Sequence, residues 1–242
     1  SGHLRVRFFM TRMPDGRLQV LPAMYELPTG EWFDYTHLLF GAADSDFDTP
    51  PIVEPGSASF WTGPVRSWDA RCAHCHMSGK SPVDPGPDTQ GPRILARAYA
   101  VDCEACHGPA RLHAEAWERL EMDETLEKLE TWSREQKVAL CTQCHQEGEV
   151  LSPPYVPGTD LYEYIDPTVL IDPERVDPAG RPTELIYAGL PFSTSACAEA
   201  GGLVCSSCHA PHGSDARSLL RKPPEDGWFC ADCHEDLVKN AE

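Results

Sequence analysis

Five copies of one short motif constrain this chain more than anything else in it. They are Cys72-Ala73-His74-Cys75-His76, Cys103-Glu104-Ala105-Cys106-His107, Cys141-Thr142-Gln143-Cys144-His145, Cys205-Ser206-Ser207-Cys208-His209 and Cys230-Ala231-Asp232-Cys233-His234. Each reads C-x-x-C-H, the attachment spacing of c-type haem. Two thiols about one helical turn apart can add to the two vinyl groups on one edge of a porphyrin. The histidine after the second cysteine swings under the iron as its proximal ligand. The predicted cofactor is therefore haem c, five per chain. Cys72, Cys75, Cys103, Cys106, Cys141, Cys144, Cys205, Cys208, Cys230 and Cys233 would hold it covalently. His76, His107, His145, His209 and His234 would bind the irons.

Other uses of C-x-x-C fit less well. A zinc ribbon pairs two hooks around one metal. Five is an odd number of hooks, and zinc does not explain a histidine after every one. A disulfide framework does not require one repeated spacing. Thioredoxin-like motifs come singly on a βα unit.

Dividing 242 residues among five haems gives roughly one haem per 48 residues. At that density haem replaces much of the aliphatic core. The predicted fold is a multihaem cytochrome c: mostly short α-helices and irregular loops wrapped round a haem stack, with a small β-hairpin region at the N-terminus. The 23 prolines and 18 glycines suit such a chain. The 38 acids against 20 bases give a net charge of −18, which excludes nucleic acid as the expected partner. No apolar run reaches the roughly eighteen residues of a membrane span, so no transmembrane segment is expected.

Residues 1–70 contain no hook and form one predicted segment; residues 71–242 form the pentahaem-binding region. Leu4 to Met10 and Leu18 to Tyr25 flank a Pro14-Asp15-Gly16 turn and read as a β-hairpin. Residues 44–56 read as a polar, proline-bearing loop. Leu112, Ala116, Leu120, Leu126 and Leu129 recur at near-helical spacing and predict a helix over 110–132. Its acidic run reads as a solvated face or, more sharply, a docking patch. Ser133-Arg134-Glu135-Gln136 is a capping box for a second helix that delivers the third hook. The proline-rich stretch 146–203 reads as a long ordered loop.

Five histidines lie outside the proximal set, and all five are candidate distal ligands: His3, His37, His74, His113 and His212. His113 follows His107 by six residues, and His212 follows His209 by three. Both links are too short to pass round a porphyrin to the same iron, but each can reach an adjacent haem. His37 lies among Trp32, Phe33, Tyr35 and Phe40, where it can face a haem or sit buried on a carbonyl. His74, inside the first hook, points to a neighbouring iron or to water. His3 is near a chain end. Methionine is the other axial option, but Met77 is badly placed for its own haem. Met10, Met13, Met24 and Met122 have no distinctive setting. One five-coordinate iron thus stays open as an alternative. The eleventh cysteine, Cys197, is expected to be a buried, inert thiol, with thiolate ligation as the sharper reading.

Several segments, taken in order, resemble one known group. They are Asp15 to Leu21, Glu31-Trp32-Phe33, Phe60-Trp61-Thr62-Gly63, the first hook, Asp102 to Pro109 and Cys205 to His212. They are similar to bacterial multihaem cytochromes that often carry tetratricopeptide repeats. Those proteins are distantly similar in haem packing to the hydroxylamine oxidoreductase and pentahaem nitrite reductase superfamily. The resemblance implies His113 and His212 as distal ligands. The chain departs from the family at Ala110-Arg111-Leu112, where members have Gly-Pro-Gly-Ser. It departs again at Cys197, where they often have methionine. Members usually carry a further hook upstream, so the chain is expected to be part of something longer.

The expected function is electron transfer through closely packed, mostly bis-histidine haems. Two alternatives stay open. One is an oxidoreductase with an open haem acting on a small nitrogen or sulfur species; the other is a protomer of an extracellular cytochrome filament. Expected partners are redox protein donors and acceptors, or further cytochrome subunits in a complex. Haem c is attached after export, so a periplasmic or extracellular site is expected. Ser1-Gly2 does not read as a native start, which points to cleavage or truncation.

Overall fold

The computed structural model describes residues 6–34, 53–57, 60–83, 93–122, 126, 129–146, 148–151, 154–167, 188–213, 219–222 and 231–236. His3, His37 and Cys230 lie outside them, as does most of the 44–56 loop.

The N-terminal hairpin forms as expected. Strand β1 (Val6–Arg12) pairs antiparallel with β2 (Leu18–Glu26). Gly16 takes a φ of +86° in the connecting turn, a conformation that costs glycine little. The register slips between Phe8 and Met10, a local bulge. A third strand, β3 (Glu31–Asp34), adds antiparallel to β2 and was not foreseen as a strand. Alternation was too short there to read, and pairing with β2 supplies what propensity does not.

The sheet buries its inner face on the first hook. Val20, Trp68, Ala73, Met77 and Ile94 form one core, with Phe8, Met10 and Leu18 packed against it. Polar side chains fix the join. Buried Asp69 accepts from the Leu18 N–H at 3.3 Å and the Ile94 N–H at 3.2 Å. Fully buried Gln19 donates to the carbonyls of Trp61 and Gly63 at 2.5 and 3.2 Å. Unmade hydrogen bonds at these depths are costly, so they define one docking geometry.

Short helices follow. α1 (Trp68–Arg71) starts at Ser67, whose hydroxyl accepts from the Ala70 N–H at 3.2 Å. α2 (Ala73–His76) carries the first hook. Strands β4 (Ser81–Val83) and β5 (Arg93–Leu95) pair antiparallel, and α3 (Glu104–His107) carries the second hook.

The helix expected over 110–132 is shorter. α4 spans Arg111–Glu118, and Leu120 then takes a φ of +56°. The Glu121 N–H turns back to the Ala116 carbonyl, so the chain leaves the helix axis at that point. Among the described residues a 3-10 turn follows at Leu129–Thr131. α5 (Arg134–His145) forms as read: the Ser133 hydroxyl accepts from the Gln136 N–H at 3.2 Å, and the Gln136 side chain accepts from the Ser133 N–H at 2.9 Å. The third hook lies wholly within this helix.

The 146–203 stretch holds elements of its own. β6 (Gly148–Val150) pairs with β7 (Ile165–Pro167), and Tyr155, Leu161, Ile165 and Ala139 make a second small core. α6 (Gly189–Ser193) and α7 (Ala196–Glu199) precede α8 (Cys205–Cys208), which carries most of the fourth hook. The described apolar cores are thus two small clusters separated by hook-bearing segments. Among the described residues no helix is long and apolar enough to cross a membrane.

Candidate haem centres

The hooks converge although they are far apart in sequence, and hook 3 is their hub. The first and third meet reciprocally: the Cys75 thiol faces the Cys144 carbonyl at 3.7 Å, and the Cys144 thiol faces the Cys75 carbonyl at 3.9 Å. The same position of each hook addresses the other. Cys144 also donates to Cys75, lowering the Cys75 thiol and raising its own, with burial adding to the rise. Gln143 joins the second hook through its amide, which donates to the Ala105 carbonyl at 3.1 Å. Cys141 donates to Cys205 of the fourth hook; this pulls the Cys205 thiol down to about 7 and pushes Cys141 up. Burial holds Cys72 at about 11.

Hooks 1 and 2 are also tied directly. The Ser78 hydroxyl donates to the Ala100 carbonyl at 2.9 Å and accepts from the Asp102 N–H at 3.0 Å. Hook 4 is held by Arg221, whose backbone N–H donates to the Cys208 carbonyl at 2.9 Å. Lys222 reaches Asp232 of hook 5 at 2.6 Å, an exposed pair worth little stability.

The proximal histidines fall in different settings. His76, His145, His209 and His234 are exposed, whereas His107 is half-buried. The His76 ring lies 5.9 Å from Trp68, tilted by 45°. Trp68 is itself buried and donates its indole N–H to the Met77 sulfur at 3.3 Å. That bond ties Met77 to the core beside the first hook. Trp68 was not singled out from the sequence. Ser67 as an N-cap, with Asp69 in the first turn, was the available signal.

His212 comes to the second hook. Its ring centre lies 5.9 Å from that of His107, and the two planes differ by 16°. Metal–imidazole bonds are about 2 Å, which puts two ring centres across one metal roughly 6 Å apart. The pair has about that separation, with its rings stacked and near parallel. His113 sits on α4 with its ring 6.2 Å from Trp117, edge on, and Trp117 is 62% exposed. His74 is buried, with Nε2 2.6 Å from the Gln143 carbonyl. A carbonyl only accepts, so Nε2 carries the proton and Nδ1 keeps its lone pair. Burial, then Lys80, lowers the His74 pKa and keeps the ring neutral. Nδ1 is buried with no hydrogen-bond partner.

Cys197 departs from expectation. It is exposed, because in α7 the inward position belongs to Ala198. Among the described residues no three His, Cys, Asp or Glu side chains converge to hold a bare metal ion. The donor set fits haem instead: paired thiols with an adjacent accessible imidazole, on a chain that also exposes large apolar side chains such as Leu95, Trp117, Leu120 and Leu219. Such surface calls for an apolar covering.

Close packing at the hub makes one prediction. A Cβ on Gly189 would stand 2.7 Å from the His145 carbonyl and 2.7 Å from Thr142 Cγ2. Gly189→Ala is expected to destabilise the holo-protein by about 1–3 kcal/mol, as overpacking does. A lowered Tm in thermal denaturation checks this; an unchanged Tm would show that α6 has room to move.

These features resemble those of the multihaem c-type cytochromes, families whose members carry covalently bound haem c. Comparison with known proteins agrees. Residues 62–108 match the family "Cytochrome c554 and c-prime", and residues 196–239 match the doubled CXXCH motif family. The third hook lies between the two matches. The chain is 26% identical over 177 residues to the multiheme cytochrome MtrA of Shewanella baltica (strain OS185), covering 68% of this chain and 52% of that protein. Its fold is similar to the crystal structure of the outer cell wall cytochrome OcwA, with a TM-score of 0.61 and 19% identity. That match covers 96% of this chain and 53% of OcwA. The chain spans about half the length of each.

Proposed function

We propose that the chain carries five covalently attached, closely packed haems that pass electrons singly along the protein, most of their irons held by two histidines. The observation that carries this is the convergence of hooks 1, 2 and 4 on hook 3. Groups attached at touching hooks sit within short tunnelling range of one another. When bound, haem supplies one-electron iron chemistry; the polypeptide supplies attachment, ligands and local dielectric.

His107 and His212 are the assigned axial pair of the second centre. His113 is assigned to a neighbouring iron, and His74 offers Nδ1 with its other nitrogen anchored on a carbonyl, the usual second-sphere arrangement of a ligating histidine. His37 and His3 complete the candidate distal set. Attachment of haem c after export supports a location on the outer side of an energy-transducing membrane, in the periplasm or beyond. The acidic surface suits basic redox partners or further cytochrome subunits.

The test is a potentiometric titration followed by visible and paramagnetic resonance spectra. Five one-electron steps with all irons low-spin are expected. A resting high-spin centre, with turnover of a small nitrogen or sulfur compound, would assign the chain to catalysis instead.

A further inference from the structure

Lys80 is a half-buried cation in a strongly acidic chain, and it lies at the junction of hooks 1 and 3. Its ammonium donates to the His74 carbonyl inside the first hook. That hook meets hook 3 through Cys75 and Cys144, each sulfur facing the other's carbonyl. Those two cysteines are the reciprocal pair 69 residues apart in sequence. Among the described residues no carboxylate forms an ion pair with Lys80. Other lysines and arginines at hooks, such as Arg97 and Lys222, are paired with acids. Lys80 instead meets a neutral carbonyl, and among the described residues no carboxylate cancels its charge.

We propose that Lys80 sets the reduction potentials of the first and third centres together, as a fixed positive charge shared by their attachment edges. The inference rests on the reading that hooks 1 and 3 both carry haem. A nearby cation disfavours the ferric state, whose iron–porphyrin unit carries one more positive charge than the ferrous. It therefore raises the potential. The effect is shared because the hook that this ammonium binds meets hook 3 at Cys75 and Cys144. A unit charge about 10 Å from an iron, at an effective dielectric near 20, changes the ferric-to-ferrous ratio on the order of tenfold. For a one-electron couple, tenfold is about 59 mV.

The experiment compares holo wild type, Lys80→Met and Lys80→Arg by potentiometric titration with centre-resolved spectra. Intact mass measured beforehand confirms the haem complement. If wild type lacks haem at hook 1 or 3, the underlying reading fails rather than the Lys80 assignment. The expected result is that Lys80→Met lowers two potentials, those of centres 1 and 3, by about a tenfold shift each. Lys80→Arg should leave both near wild type, because charge and not shape is what acts. Lys80→Gln serves the same comparison if the methionine variant does not mature. Unchanged potentials would overturn the proposal. So would an equal drift of all five centres, or an arginine variant that shifts as far as the methionine one.

Discussion

Cys141→Ser combined with Cys144→Ser is expected to cost the protein far more than one haem. The third hook is where the polypeptide crosses itself. Cys144 meets Cys75, the Gln143 carbonyl anchors His74, its amide holds Ala105, and Cys141 meets Cys205. The two apolar clusters around it are small. Nothing else on the described chain ties hooks 1, 2 and 4 together at one place. Removing the covalent group from that point leaves several partners unsatisfied at once, a loss beyond the roughly 4 kcal/mol that marks exceptional changes. The double variant should give little or no folded holo-protein. Cys230→Ser with Cys233→Ser is the control. Cys233 is exposed, and an exposed Lys222–Asp232 pair links its hook to the described chain. That variant should fold and lack one haem. Haem stain per polypeptide and protease resistance distinguish the two. Equal losses from both variants would remove hook 3 from its central place.

His212→Ala is expected to leave one iron in five without its second imidazole. The His107 and His212 rings have the spacing and near-parallel planes of two ligands across one metal. His212 is exposed and sits in a turn after the fourth hook, so its loss should barely disturb packing. The change should therefore read out in electronic state rather than in Tm. One high-spin ferric centre should appear, and it should bind a small exogenous ligand such as imidazole, which restores the low-spin spectrum. His113→Ala should open a different centre, one whose potential is unaffected by His212→Ala. A His212→Ala protein with five low-spin irons would assign the partner of His107 to another residue.

The cofactor was legible in the sequence because its chemistry is local. C-x-x-C-H needs no tertiary context, and neither does the Ser133–Gln136 capping box or the Pro14-Asp15-Gly16 turn. What failed to read was decided by contacts distant in sequence. The leucine spacing continues beyond Glu118, but Leu120 adopts a left-handed backbone that periodicity does not reveal. β3 exists because β2 offers an edge. The Cys197 thiol faces solvent because α7 turns Ala198 inward. His74 read as pointing to iron or water; its Nε2 meets the Gln143 carbonyl, a group 69 positions away in sequence. Lys80 carried no motif and gained interest only through its position between two hooks. The reach argument left the hook that His212 meets open; the fold sets its ring beside His107 of the second hook.

The intact mass of the mature chain under denaturing conditions tests the central claim most directly. Thioether bonds survive acid and unfolding, whereas zinc and non-covalent haem do not. The account predicts the 26.8 kDa polypeptide plus five haem groups, with the visible spectrum of haem c in the same sample. A mass equal to the bare polypeptide, or one carrying fewer than five haems after full maturation, would contradict it.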